Sequence, residues 1–143
     1  EADNRTAWAP LNLARYLLEE RDRLEADWLA DAGTLIGFVE RNFTSYQAGV
    51  LVCGEQDHDH QPWGGILSTW GAVLALYAAA TGSAQYQRLA HQAISLALYA
   101  VDADGAPRDL VFSDRRGGWQ EDAHTDKVHN ILDALAAIPE WAT

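Results

Sequence analysis

Methionine is absent from this chain and cysteine occurs once. The lone Cys53 excludes an internal disulfide and a cysteine-based zinc site, and it reads as a small buried hydrophobe rather than a nucleophile. Basic residues are scarce: ten Lys and Arg against 21 acids leave a net charge of −11. With no basic stripe, nucleic acid and anionic membrane surfaces are not expected partners. No uninterrupted apolar run reaches the roughly 18 residues of a membrane span. The nearest approach, residues 64–82, contains Ser68, Thr69 and several alanines and reads as a buried core helix. A chain without methionine has no initiator, so Glu1 is not expected to be a translational start, and the chain reads as processed, excised or part of something longer.

What is present is helical periodicity. Pro10 suits the first turn of a helix over about 10–23, with Leu11, Ala14, Leu17 and Leu18 on one stripe. A second helix is expected over about 25–42, carrying Trp28, Ala32, Leu35, Ile36, Val39 and Phe43. The third, about 64–81, is apolar nearly all round, as a helix surrounded by other helices must be. Gly82 stops it and Ser83 caps the fourth, about 84–100. The fifth, about 125–137, carries Val128, Ile131, Leu132 and Leu135 and ends before Pro139. Long connections fill 44–62 and 101–123, where only Leu110-Val111-Phe112 hints at a strand. The chain reads as all-α, a set of antiparallel helical hairpins.

If successive helices alternate in direction, both long connections lie at one end, beside the N-termini of helices one, three and five. Trp8, Trp63 and Trp119 precede those three helices at spacings of 55 and 56 residues. A hairpin period of this length marks a stacked or toroidal array, with repeats at about 8–62, 63–118 and an incomplete 119–143. Trp63-Gly64-Gly65, followed by Ala75-Leu76-Tyr77, Thr81-Gly82 and Tyr86, resembles the hairpins of (α/α) toroid enzymes that act on glycans. These are the six-hairpin glycoside hydrolases and the polysaccharide lyases on the same barrel. The resemblance covers about residues 8–138 and implies part of a toroid and an oligosaccharide or polysaccharide as partner. No catalytic residue of those families maps onto a position here. Six hairpins at this period need about 330 residues, so a toroid would be completed by the remainder of a larger chain or by self-association.

The loop chemistry is concentrated in two stretches, 55–65 and 117–126. Hydrolysis of a glycosidic bond needs one protonated and one ionised carboxylate. Glu55 or Asp57 from the first loop and Asp122 from the second are the acid/base candidates, with His60 and His124 assisting. Trp63, Trp119, Gln120, Glu121, His58 and Trp8 are the candidates for holding a sugar, the indoles by stacking. Each has a plain structural alternative: helix capping for the acids, loop packing for the tryptophans. A lyase would instead use a histidine, or a tyrosine such as Tyr46, to remove a proton beside a uronate carboxylate, and Arg115-Arg116 could clamp such an acid. His58-x-His60 with acids is a set able to hold a divalent ion, but no helical histidine pair supports it, and neither metal nor cofactor is expected. Asp102-Ala103-Asp104-Gly105 reads as a turn, His91 as solvent-facing, and His129 with Asp133 as a pair on a helix surface. A noncatalytic helical-repeat module that binds a carbohydrate or a protein stands as the alternative function.

Overall fold

The computed structural model describes residues 5–24, 27–58, 63–99, 109–110, 119–120 and 125–142. Five α-helices carry the fold: α1 (Trp8–Glu19), α2 (Trp28–Phe43), α3 (Gly64–Thr81), α4 (Ala84–Leu98) and α5 (Thr125–Ala137). Two antiparallel ribbons accompany them, β1 (Thr44–Gln47) with β2 (Val50–Cys53), and β3 (Asp109–Leu110) with β4 (Trp119–Gln120). The all-α expectation holds.

α3 is the element every other helix needs. Each residue from Gly64 to Ala75 is buried, so the helix has no solvent face along its first three turns. It passes the length and hydropathy test for a membrane span, yet α1, α4 and α5 cover it in place of lipid. Trp70, fully buried at its middle, keeps its indole N–H without an acceptor among the described residues. α2 backs α1 and α4 backs α3, which leaves α1, α3 and α5 as one layer and α2 and α4 as the second. Where α3 meets α4 the backbones approach closely. A Cβ at Gly71 would sit 2.9 Å from Ile94 Cγ1 and Cδ1 and 3.2 Å from Ala93 Cβ.

The two ends of this stack differ. α3 and α4 are joined by Gly82, left-handed at φ +70°, and by Ser83, whose hydroxyl accepts from the Tyr86 N–H at 3.4 Å. At the other end, α2 runs into the β1–β2 hairpin, whose turn residues Ala48 (φ +49°) and Gly49 (φ +82°) have the sign pattern of the two-residue turns that follow strand twist.

Several boundaries differ from the periodicity. α1 ends at Glu19 and the chain tightens into a 3₁₀ turn over Arg21–Arg23; α2 begins at Trp28. The stretch 44–53 is a hairpin rather than plain connection: Val50, Leu51 and Val52 favour strand, but Ala48-Gly49 is a weak turn signal beside Asn-Gly. The fifth helix is rotated from its expected face. It buries Lys127, Asn130 and Ala134, with Ile138 beyond them, while Val128 and Leu132 are 41% and 56% exposed. Cys53 is fully buried and desolvation pushes its thiol far up, so it is an inert core residue.

Gly71→Ala should lower stability by about 1–3 kcal/mol through overpacking against α4. Urea denaturation checks this, and Ile94→Val in the same chain should restore part of the loss. Strict additivity of the two changes would show that the close approach is not the cause.

Candidate functional site

Among the described residues, four polar side chains are buried in the inner layer, Ser68 and Thr69 of α3 and Lys127 and Asn130 of α5, and three of them form one network. On α3, Ser68 and Thr69 are buried and their hydroxyls both donate to Gly65 O, at 2.8 and 3.0 Å. Those oxygens remain free to accept, and the Asn130 amide of α5 donates to both, at 3.2 Å to Ser68 and 2.8 Å to Thr69. The Asn130 carbonyl accepts from Arg15 of α1 at 2.7 Å. Arg15 also donates to Glu19 at 2.7 Å and pairs with Asp133. One arginine and one amide therefore tie all three inner helices together, with every arm of the amide engaged.

Above this network lies an open cavity of about 320 Å³. Its walls are Trp8, Asn12 and Arg15 of α1, Thr69 of α3, and Asp126, His129 and Asn130 of α5. All seven stand in the first three turns of their helices, so the N-termini of α1, α3 and α5 share one end, as the parity argument requires. Its volume falls at the lower end of small-ligand sites, about 300–1,000 Å³, but its lining is mostly polar, with the Trp8 indole as its single apolar wall. A smaller cavity of about 210 Å³ lies at the opposite end, around Gly82, Gln87 and Glu140.

The first of the two loops is anchored beside this cavity. Residues 5–7 and 55–57 pair in antiparallel fashion: the Ala7 N–H donates to Glu55 O at 2.8 Å, and the Asp57 N–H to Arg5 O at 3.3 Å. The Asp57 carboxylate accepts from Arg5 Nε at 2.7 Å. That hydrogen bond, helped by His58, holds Asp57 below the usual carboxylate range. Asp57 is thus kept ionised, which suits a base or an anchor and opposes a role as proton donor. His58 is exposed, with Nδ1 3.4 Å from the other Asp57 oxygen.

The sequence-derived candidates divide on this frame. Trp8 lines the cavity. Trp63 sits at the N-cap of α3 and packs partly against the core; neither it nor Glu55, Asp57 or His58 is among the lining residues. Trp119 and Gln120 form β4, paired so that Leu110 faces Trp119 and Asp109 faces Gln120, and their side chains lie outside the described set. His60, Glu121, Asp122 and His124 also lie outside the described residues. The three tryptophans are not equivalent in position, since Trp8 begins α1, Trp63 caps α3 and Trp119 is in a strand ahead of α5. Asp133 pairs with Arg15 rather than His129, because the arginine reaches across from α1. His91 is exposed and meets Trp141 edge-on at 5.2 Å, which seats Trp141 at the end of the stack. Tyr46 is 77% exposed on β1.

Asn12, Arg15, Thr69, His129 and Asn130 are cavity residues that loop-centred reasoning passes over. Thr69 and Asn130 carried a signal, polar side chains at core positions of apolar helices, Asn130 standing four residues before Ala134 on the buried stripe; Asn12 and His129 occupy exposed helix positions and carried none.

No family model matches the chain, and no curated protein matches it. Among solved structures, it is similar to a sugar epimerase from a ruminal bacterium, at a TM-score of 0.70 and 14% identity. The match covers 95% of this chain and 40% of that one. The likeness is one of fold, and this chain spans 40% of the other's length.

Asp57 should titrate below an ordinary aspartate, and Arg5→Ala should move its midpoint upward; carboxyl carbon NMR across an acid titration reads both. Because the folded-state value is the lower one, the Arg5–Asp57 tie contributes stability above the unfolded carboxylate value and loses it as pH falls through the folded one. An unchanged midpoint in Arg5→Ala would assign the shift to another group.

Proposed function

We propose that this chain is part of a carbohydrate-active protein built on an (α/α) hairpin array, and that the cavity over Arg15 and Asn130 holds a sugar ring. The lining carries the reading. A pyranose presents an apolar C–H face and a rim of hydroxyls, and the cavity offers the Trp8 indole with the polar side chains of Asn12, Arg15 and His129 around it. The fold likeness to a sugar epimerase supports a sugar as the ligand class. Further hairpins, from a longer chain or a second copy, would complete a toroid around the inner helices.

Acid–base chemistry of the glycoside hydrolase type is the first reaction proposed. Asp126 places one carboxylate in the cavity wall, and Asp57, held ionised by Arg5, is matched by protonation state to the base role rather than the acid. Glu55 and Asp122 remain the other carboxylate candidates, with His60 and His124 assisting. Trp63, Trp119, Gln120, Glu121 and His58 serve as outer sugar contacts. One observation favours a second reading, proton transfer at a sugar carbon. Asp126 and His129 stand one helical turn apart in the same wall, an imidazole beside a carboxylate.

Incubation with neutral and uronate oligosaccharides in deuterated water, followed by chromatography and mass spectrometry, tests the proposal. Shorter saturated products mark hydrolysis, and unsaturated ones mark a lyase. Carbon-bound deuterium at unchanged size marks proton transfer. Binding without products leaves the noncatalytic module. Calorimetric titration should show Trp8→Ala weakening the bound sugar by about 2- to 12-fold, the worth of one aromatic contact of about 0.5–1.5 kcal/mol. No heat from any sugar would overturn the assignment of the cavity.

A further inference from the structure

Arg15 is the cationic side chain in the cavity wall, and at first sight it marks a receptor for an acidic sugar. Its hydrogen bonds point the other way. A guanidinium has five N–H donors. Arg15 directs Nε to Glu19, one Nη to Asn130 and the other to Asp133. Neither carboxylate lines the cavity, and each stands C-terminal to the lining residues of its own helix, Glu19 on α1 and Asp133 on α5. Asp126, which does line it, adds a third negative charge facing the ligand. Two carboxylates thus pair with one guanidinium and a third shares the cavity wall, with Arg15 only 25% exposed and its planar fork already committed.

Other sources of positive potential do not reverse this balance. The partial charge at a helix N-terminus, about half an elementary charge, acts within the first turn, where Trp8 and Asp126 line the cavity, and it is smaller than the excess of Asp126, Glu19 and Asp133 over Arg15. Asp126, in the first turn of α5, opposes the dipole of its own helix. Lys127 is fully buried and already partnered, and it is absent from the lining. His129 in its neutral form adds no charge. A carboxylate or phosphate on the ligand would meet net negative potential without a free bidentate fork, whereas a hydroxyl needs only one donor or acceptor at a time.

We infer that the cavity selects an uncharged sugar, and that Glu19 and Asp133 are the specificity-determining residues, because they neutralise Arg15 and leave it as a donor to hydroxyls. The inference rests on the reading that this cavity holds a sugar. It separates neutral glycans from the uronates that the lyase reading requires.

The test is calorimetric titration of the whole chain with glucose and cellobiose against glucuronate and glucose 6-phosphate. Wild type is compared with Glu19→Gln and Asp133→Asn, each checked by thermal melting. In wild type the anionic sugars should bind at least about tenfold more weakly, the equivalent of roughly 1.4 kcal/mol of repulsion. Each substitution should raise the ratio of anionic to neutral affinity, Asp133→Asn the more. If Asp133→Asn does not fold, Glu19→Gln, at the exposed last residue of α1, carries the comparison. Glucuronate or the phosphate bound as tightly as the neutral sugars in wild type would overturn the inference while leaving the sugar site standing. A ratio unmoved by the substitutions would overturn the role given to the carboxylates. Absence of binding by all four sugars would overturn the sugar reading itself, and the inference with it.

Discussion

A single carboxamide sits where three helices meet. Asn130 uses its carbonyl toward α1 and its amino group toward α3 while its own backbone belongs to α5. Buried without these partners, such a group would cost on the order of 1–3 kcal/mol; with them it fixes the relative register of the inner helices. Apolar packing alone sets no such register, because leucine and alanine ridges tolerate small slides. Here a slide of one turn on α1 or α5 would strand the amide. The same network forms the floor of the cavity, so the contacts that align the helices also fix the shape presented to a ligand.

The apolar remainder of the stack makes that alignment rigid. α3 is enclosed from Gly64 to Ala75, and at Gly71 it lies against Ile94 with no room for a methyl group. Side chains on helices held this way are placed more accurately than side chains on loops. The cavity residues are of the first kind, while Glu55, Asp57 and His58 belong to a loop tethered by its backbone pairing with residues 5–7. The acidic loop and the helical wall are therefore two supports of different stiffness at one end of the molecule.

Much of this was legible in the residues. Apolar spacing placed all five helices, and the limits of α3 and α5 agree to the residue, because Gly82 and Pro139 are unambiguous stops. Ser83 reads as a cap and acts as one. The β1–β2 hairpin was missed because its turn puts an alanine at positive φ, a conformation no propensity argument would assign to it. The orientation of α5 was missed for a related reason. Val128 and Leu132 outweigh Lys127 and Asn130 in any count of apolar residues, but the buried polar side chains have partners that only the assembled helices supply. The loop acids and tryptophans drew attention because they are dense in sequence, whereas the cavity is assembled from single residues more than a hundred positions apart, as Arg15 and Asn130 are.

The contrast between the two ends has an evolutionary corollary. Gly82 and Ser83 join α3 to α4 in two residues, with a left-handed glycine and a cap that tolerate little change in length. At the opposite end, the connections from α2 to α3 and from α4 to α5 are long, and the first of them already carries a ribbon of its own. Insertions and deletions among descendants of this fold should therefore collect at one pole. Each would remodel the rim of the cavity without disturbing the helices beneath it. Such a scaffold can change what it recognises by lengthening two loops while its floor, held by one arginine and one asparagine, stays the same.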